Sequence, residues 1–321
     1  MSALEPIVPT SRGLTRGLRL RPGDLVFELI TGAAALAVVV AAVLLGYEVI
    51  RQASGAITHF GLQFLWHSVW NPIADQYGAL QFIFGTLVTS VIAIAIATPL
   101  ALAIGLFLTE ICPRALRGPV GALVELLASV PSVVLGLWGI LVLGPFVANH
   151  LEPWLNGVLG WLPLFRGPTG IVGLLPAILI LTIMILPIVS SISRELFSRV
   201  PSELREGAIG LGLTRWEAIR GVAIPYAGPG IAAAVILGFG RAIGEAIAVT
   251  QVIGGGNGIH WSLFAPGDTL ASRIANTYQG ATSKLEIGSI LYLAAILLVI
   301  SLAANMAAQV VVRRAERRGV L

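Results

Sequence analysis

Six long apolar runs separated by polar segments dominate the pattern of the chain. Each run exceeds the length of about 20 residues that crosses a bilayer, and several leave room for tilt. A backbone in lipid has to satisfy its hydrogen bonds internally, so the runs predict six membrane-spanning helices of an all-α integral membrane protein. The runs cover about residues 26–50, 80–108, 120–147, 171–192, 227–253 and 287–312.

Several prolines fall inside or near these runs. In a soluble helix a proline breaks the hydrogen-bond ladder, whereas in a membrane bundle neighbouring helices can satisfy the freed carbonyl groups. We therefore expect kinks rather than helix ends at Pro99, Pro131, Pro187 and Pro229.

The polar segments divide the chain into four parts. The first apolar run is longer than the 7–15-residue core of a cleaved signal peptide, so it is interpreted as a retained anchor. No loop is long enough for a sizeable soluble domain. The predicted parts are an N-terminal tail (1–24), the first helix with its outer loop (25–79), a transmembrane core (80–312) and a C-terminal tail (313–321).

Arginine and lysine are distributed unevenly among the loops. Fifteen of the 20 lie in the two tails and in every second loop, four lie in the other loops, and Arg241 lies inside a run. Basic residues accumulate on the cytoplasmic side of a membrane protein. Both termini are therefore predicted to be cytoplasmic, and the net charge of +4 is explained without a nucleic-acid partner.

The remaining composition excludes several kinds of chemistry. Hydrophobic residues make up 56% of the chain and charged residues 11%, and the mean hydropathy is +0.91, whereas soluble proteins carry about 25% charge. A single cysteine, Cys112, and four scattered histidines exclude an internal disulfide and disfavour a metal site. The one lysine, Lys284, follows Ser283, so no P-loop can form. We expect no cofactor on this chain, and ATP to be used by partner subunits.

A polar segment at residues 194–225 carries the most informative spacing. Glu206 is followed by Gly212 six residues later and by Pro225 nineteen residues after the acid. The pattern predicts a helix over 202–213 with Ser202 as N-cap. A second short helix over 215–220 is predicted to begin with a capping box of Thr214 and Glu217 and to lead to Pro225. An ordinary helical hairpin between two spans is the alternative interpretation.

This segment resembles the cytoplasmic coupling loop of ABC importer permeases. The family pattern is E-A-A, three residues, G, nine residues, I-x-L-P; here Gly207 replaces the first alanine, Val222 the isoleucine and Ile224 the leucine. The resemblance implies a type I, MetI-like permease fold with six transmembrane helices in the inner (plasma) membrane. It also implies that the loop docks on an ATP-binding subunit through Glu206, Ala208, Gly212, Ile224 and Pro225.

Two ionisable residues interrupt the fifth run. A charge at the bilayer centre costs a few kcal/mol, so Arg241 and Glu245 are expected to pair or to line a path. They are four residues apart, on one face of a helix. Two roles are open: the pair only fixes helix packing, or Arg241 faces the pore and offers its charge to an anion. The two roles are compatible, because Glu245 can pair with Arg241 until an anion replaces it. Weaker candidates for the path are polar residues in or near spans: Ser129, Ser132 and Gln251.

Further stretches are similar to the PstC-type permeases of phosphate importers. They are residues 238–254, with R-A-I-G-E-A-I-A-V-T, residues 129–139, with S-V-P-S-V, and the segments 70–72, 77–80 and 85–90. Ala246 departs from the threonine of many relatives, and a sister permease shares part of the R-A-x-G-E pattern. The resemblance implies inorganic phosphate as substrate. The implied partners are a second permease of similar fold, two ATP-binding subunits, an extracytoplasmic phosphate-binding protein and membrane lipid.

Three alternatives stay open at this point. A secondary anion transporter or channel would explain the buried charges without a partner, but not the coupling loop. A permease for another oxoanion, sulfate or molybdate, would share the same spacing and charge. A membrane scaffold without transport activity is hard to reconcile with Arg241 inside a span.

The basic asymmetry makes a prediction about the coupling loop. In a variant that lacks Cys112, a cysteine placed by Thr214→Cys is expected to resist a membrane-impermeant thiol reagent in intact cells. It is expected to react once the membrane is opened. Labelling in intact cells would reverse the predicted orientation of the whole chain.

Overall fold

The computed structural model describes residues 22–317. The predicted N-terminal tail (1–24) lies almost wholly outside the described residues, as do the last four residues of the predicted C-terminal tail. The chain divides into two units, one ending at Glu48 and the other beginning at Val49. All packing described below lies within the second unit.

The described residues are predominantly helical, with one short antiparallel hairpin. The strands are β1 (Trp70–Asn71) and β2 (Gln76–Tyr77). The helices are α1 (Pro22–Phe60), α2 (Leu80–Leu106), α3 (Arg114–Ser129), α4 (Ser132–Trp138), α5 (Gly144–Phe146), α6 (Glu152–Leu159), α7 (Leu174–Ser198), α8 (Ser202–Gly210), α9 (Arg215–Ala218), α10 (Ile224–Gly244), α11 (Ile247–Val252), α12 (Leu270–Thr277) and α13 (Lys284–Arg317). Helix α13 thus extends into the predicted C-terminal tail.

Six helical segments among the described residues are long and apolar enough to cross a membrane, as the sequence predicts. Short π-helical segments continue several helices without a break. The six segments are Leu25–Leu65, Leu80–Ile111, Ser132–Leu159, Leu174–Ser198, Arg215–Gly244 and Lys284–Val310.

The third segment differs from its prediction. The apolar run 120–147 was predicted as one span, but the chain leaves the helix at Val130 and Pro131, and the span begins at Ser132 and ends at Leu159. Val130 is extended, as expected for a residue that precedes proline. Pro131 therefore separates two helices instead of producing the predicted kink. The other three prolines at which a kink was predicted lie inside continuous helices: Pro99, Pro187 and Pro229.

Helix α7 is the central helix of the second unit. About two-thirds of its apolar span is buried, twice the share in the spans built on α2, α4, α10 and α13. Helix α2 packs most extensively on it, through small residues at every fourth position, Ala93, Ala97 and Ala101, which are fully buried. Small side chains let two helix backbones approach closely in a bilayer. Helix α10 packs on both, because Gly238 leaves room for side chains of α7 and α2.

A second core lies around the β1–β2 hairpin. Trp70 pairs with Tyr77 across the hairpin, and its indole ring lies edge-on to Phe82 of α2 at 5.4 Å. Phe64 stacks on Tyr292 of α13 with ring centroids 4.5 Å apart. These aromatic contacts bind the segment after α1 to the first turns of α2 and α13.

A buried ion pair fastens the chain before α12 to this core. The Asp268 carboxylate accepts hydrogen bonds from the Thr269 N–H group, at 2.9 Å, and from the Ser272 hydroxyl group. Its Oδ2 lies 3.5 Å from Nη1 of Arg273, whose guanidinium carbon lies 5.1 Å from the centroid of the Trp70 ring. Burial raises the pKa of the Asp268 carboxyl, against the opposing effects of Ser272 and Arg273. The ionised carboxylate is therefore costly here and depends on the partners that surround it.

Removal of the two charges is expected to have unequal effects. Arg273→Met leaves the Asp268 carboxylate buried without a counter-ion, and we expect the free energy of unfolding to fall by about 3 kcal/mol. Asp268→Asn leaves Arg273 over its aromatic rings, and we expect a loss of about 1 kcal/mol, the size of one hydrogen bond. Unfolding of the purified variants in detergent measures both values. Equal losses, or the reverse order, would contradict this account.

Candidate coupling surface and translocation path

The segment between α7 and α10 contains two short helices, α8 and α9. Helix α8 is shorter than the predicted 202–213, and Pro201 rather than Ser202 occupies its N-cap, so the prediction of Ser202 as the cap is wrong. Proline fixes the entry angle without a side-chain hydrogen bond. The predicted capping box of Thr214 and Glu217 is confirmed, with both reciprocal hydrogen bonds present.

Helix α8 ends in a glycine turn. Gly212 has φ of +91°, a conformation that side chains disfavour. Its N–H group donates to the Ile209 carbonyl at 2.9 Å, and the Leu213 N–H group donates to the Ala208 carbonyl at 3.2 Å. These bonds satisfy the last carbonyl groups of the helix. The glycine of the coupling pattern is thus required by the backbone of the turn itself.

Helix α9 continues into the fifth span without interruption. The predicted second helix, 215–220, extends through the π-helical segment Ile219–Ala223 into α10. Pro225 lies in the first turn of α10, so the second helix leads to this proline and on into the fifth span, as predicted. The reason is local: helical geometry is already established before the proline, whose fixed φ is compatible with it.

The five predicted coupling residues do not share one surface. Glu206, Gly212 and Pro225 are exposed, Ile224 is half-buried, and Ala208 is buried. The structure adds exposed apolar side chains beside them, of which Leu211 is 84% exposed. We call this group the coupling patch: Leu204, Ile209, Leu211 and Trp216. Ile209 and Trp216 also line one cleft, and exposed apolar side chains grouped in this way favour an interaction surface.

Arg241 and Glu245 form the predicted pair, but their charged groups lie at the upper end of ion-pair distances. Nη2 of Arg241 lies 3.9 Å from Oε2 of Glu245. Helix α10 ends at Gly244, so Glu245 lies just beyond the helix with extended geometry and not on its face. The Arg241 side chain is 44% exposed and that of Glu245 is 10% exposed. Glu245 also accepts a weak bond from the Ala248 N–H group at 3.4 Å, at the start of α11.

Arg241 lines a small cavity of about 50 Å³. The cavity lies where α3 ends and α4 begins, against the middle of α7. Two interruptions between consecutive helices, at Pro131 and at Glu245, thus occur close to one arginine. The other lining residues are apolar: Leu127, Ala128, Val130, Leu135, Met184 and Ile188.

The three weaker path residues are not brought together with Arg241 in this cavity. The Ser129 hydroxyl donates to the Leu126 carbonyl of its own helix at 2.7 Å. Ser132 is the first residue of α4, and Gln251 of α11 lies over Gly136, one turn further along α4. Ser132 and Gln251 therefore belong to one helix pair, beside the cavity.

Sequence reasoning missed three polar features. Glu110, after α2, forms an ion pair with Arg205 of α8 at 3.0 Å. Arg194 of α7 lies 3.6 Å from Glu125 of α3. Glu152, which follows the third apolar run, is buried in α6 and accepts a hydrogen bond from the Gly170 N–H group at 2.9 Å. Their sequence separations carry no periodic signal that would have found them.

Comparison with known proteins defines the class. Residues 101–317 match the family described as binding-protein-dependent transport system inner membrane component. This match and the six apolar helices make the chain a permease subunit of an ABC transporter, located in the inner membrane.

Full-length relatives narrow the class. The chain is 44% identical to the phosphate transport system permease protein PstC of Mesorhizobium japonicum over 99% of both chains. It is 39% identical to that of Xylella fastidiosa over 94% of both chains. It is 37% identical to PstC 1 of Mycobacterium tuberculosis over 83% of this chain and 86% of that one. The chain belongs to the PstC family of phosphate transport system permease proteins.

Solved structures agree at the level of fold. A chain of a bacterial alginate ABC transporter, in complex with an alginate-pentasaccharide-bound periplasmic protein, matches 90% of this chain with a TM-score of 0.58 and 18% identity. It is covered over 97% of its own length. A chain of the MetNI methionine ABC transporter in an inward-facing conformation matches 77% of this chain and 99% of its own length, with a TM-score of 0.54. The predicted MetI-like permease fold is confirmed.

Proposed function

We propose that the chain is the transmembrane permease subunit of an ATP-driven importer for inorganic phosphate and forms half of its translocation path. The observation that carries this proposal is 44% identity over 99% of the chain to a phosphate transport permease. The chain itself performs no covalent chemistry and binds no cofactor. Partner subunits bind and hydrolyse ATP, in keeping with a sequence that cannot form a P-loop.

The complete transporter contains a second permease of similar fold, two ATP-binding subunits and an extracytoplasmic phosphate-binding protein. The exposed coupling patch supports a protein partner at α8 and α9. The basic asymmetry of the loops supports a cytoplasmic location for this surface and for both termini. Glu206, Ala208, Gly212, Ile224 and Pro225 act in this coupling; Ala208 does so from inside, by packing α8.

Transport follows from movement of the two permease halves. ATP brings the nucleotide-binding subunits together, α8 and α9 move with them, and the halves rock between inward and outward openings. Arg241 offers its charge to the anion, and Glu245 neutralises it between passages. A separation of 3.9 Å and a half-exposed Arg241 support an exchangeable pair better than a locked one. Ser132 and Gln251 extend the polar path, and Ser129 contributes least because its hydroxyl is already bonded.

Uptake of labelled phosphate tests the substrate. Deletion of the gene is expected to abolish binding-protein-dependent uptake, and restoration of the gene to recover it. Excess unlabelled phosphate is expected to compete, whereas sulfate and molybdate are not. Competition by sulfate or molybdate alone would transfer the proposal to another oxoanion.

Gly212 separates an ATP-driven importer from a secondary transporter. We expect Gly212→Asp to abolish uptake at normal membrane abundance and to prevent stimulation of the ATPase subunits. Gly212→Asn is the matched control, because asparagine has the same size and the same backbone strain at positive φ but no charge. A secondary transporter would tolerate both variants. Equal loss in both would assign the effect to the turn and not to docking.

The charge pair in the path is tested by a cycle of variants. A hydrogen bond to a charged group contributes about 1.5–3 kcal/mol, so Arg241→Gln is expected to lower uptake about tenfold or more while the complex still assembles. Glu245→Gln is expected to impair assembly or gating, because it leaves Arg241 without its counter-ion. Uptake, assembly and ATP hydrolysis are measured for each variant.

The double variant decides between the two roles of Arg241. If Arg241 contacts the anion, Arg241→Gln with Glu245→Gln assembles yet stays inactive. Recovery of uptake in the double variant would mean that the pair is only structural, because no lone charge is then left inside the span.

A further inference from the structure

We propose that the ion pair between Glu110 and Arg205 fastens the coupling helix α8 to the ends of α2 and α7 and stays closed through the transport cycle. The three helix ends would then move as one body. Arg205 and Glu110 are positioning residues and do not touch the substrate. The inference rests on the proposed function and identifies how movement at α8 enters the membrane domain.

One guanidinium group joins three elements. Glu110 lies in the π-helical segment Phe107–Ile111 that continues α2, and its Oε1 is 3.0 Å from Nη2 of Arg205. The same Nη2 donates a hydrogen bond to the Phe197 carbonyl, near the end of α7, at 2.5 Å. The side chains are 18% and 28% exposed, so salt screens this pair less than a surface pair.

Helix α8 buries little apolar surface of its own. Of its nine residues, Ala208 alone is buried. A cleft of about 490 Å³ opens beside the ion pair, between Ile111 of the α2 extension and Ile209 of α8. Apolar burial stabilises by about 25 cal/mol per Å², so a single buried alanine contributes little. Helix α8 also packs on the segment Ile219–Ala223 and on α9. The ion pair and the hydrogen bond of Arg205 attach α8 to the ends of α2 and α7.

The attachment point is itself fixed. Arg117 of α3 donates to the Thr109 carbonyl, next to Glu110, at 2.8 Å. Gly105 of α2 packs against the Arg194 backbone of α7. A movement of α8 is thus transmitted to α2 and α7 together and cannot be absorbed by a loose helix end.

A nearby ion pair supplies a matched control. Arg199 and Glu195 lie 2.5 Å apart, closer than Arg205 and Glu110, but their side chains are 70% and 62% exposed, and both lie at the end of α7. A pair within one element cannot transmit movement to another, and exposed pairs contribute about 0–1 kcal/mol. The N–O distance alone would therefore rank the exposed pair above the pair that links separate helices.

The first test measures phosphate imported per ATP hydrolysed by the reconstituted complex. Glu110→Gln and Arg205→Gln are each expected to lower this ratio about fivefold, a typical size for residues that transmit coupling. The double variant is expected to match Arg205→Gln, because that single variant already removes both the ion pair and the hydrogen bond to the Phe197 carbonyl. Glu195→Gln is expected to leave the ratio unchanged. An unchanged ratio in Glu110→Gln, or losses that multiply in the double variant, would refute the proposal.

The second test replaces the ion pair by a covalent link. In a Cys112→Ser background, Glu110→Cys with Arg205→Cys is joined by a short bifunctional thiol reagent that a reductant can cleave. The linked complex is expected to recover the ratio and to lose it again on reduction. A link that blocks transport would show that the pair has to open during the cycle. Failure of the single variants to assemble, without recovery on linking, would assign the pair to folding alone.

The third test needs no substrate and so separates this inference from the proposed function. Spin labels at Ile111 and Glu203, both exposed, report the distance between the α2 extension and α8 in the full complex. The distance is expected to stay the same with and without ATP. A change on ATP binding would overturn the single-body proposal, whatever the transported anion. Absence of phosphate uptake by the unaltered complex would instead count against the proposed function.

Discussion

Close packing of α2 against α7 is the constraint on which the rest of the second unit depends. Lipid chains are as apolar as leucine, so transmembrane helices gain little from hydrophobic burial and associate through contact and shape. Ala93, Ala97 and Ala101 provide a smooth surface on α2 that α7 covers closely. Helix α10, which carries Arg241, is placed by the same two helices through Gly238. A larger side chain at any of these positions would displace the helix that carries Arg241.

The ion pairs around this apolar core differ in their N–O distances and in their exposure to solvent. Asp268 with Arg273 fastens one end, and Glu110 with Arg205 fastens the other; in both pairs the side chains are largely shielded from solvent. The pair of Arg241 and Glu245 is the longest of the ion pairs described. The fold is therefore held at its ends and by its core, and the pair of Arg241 and Glu245 does not have to hold it together.

Hydropathy predicted the number of spans, and the sequence pattern predicted two short helices between α7 and α10, because both features are local in sequence. The capping box of Thr214 and Glu217 was predictable for the same reason. The break at Pro131 was not, because Pro99, Pro187 and Pro229 have the same local sequence character and lie in continuous helices. Packing partners decide which proline breaks a helix. The pair of Glu110 and Arg205 could not be predicted for a related reason. Its members are distant in sequence and meet only after α2 and α7 pack.

The hydroxyl groups of α2 have a consequence for the order in which the protein is made. Thr86, Thr89 and Ser90 are buried, and each donates to a carbonyl of its own helix at 2.6–2.8 Å. Helix α2 leaves the ribosome long before α7, α10 and α12, against which it packs. Because these three hydroxyl groups already have acceptors within the helix, α2 can enter the bilayer without exposing them as unpaired donors to lipid. These three polar side chains are therefore compatible with insertion of α2 into lipid before its packing partners are made.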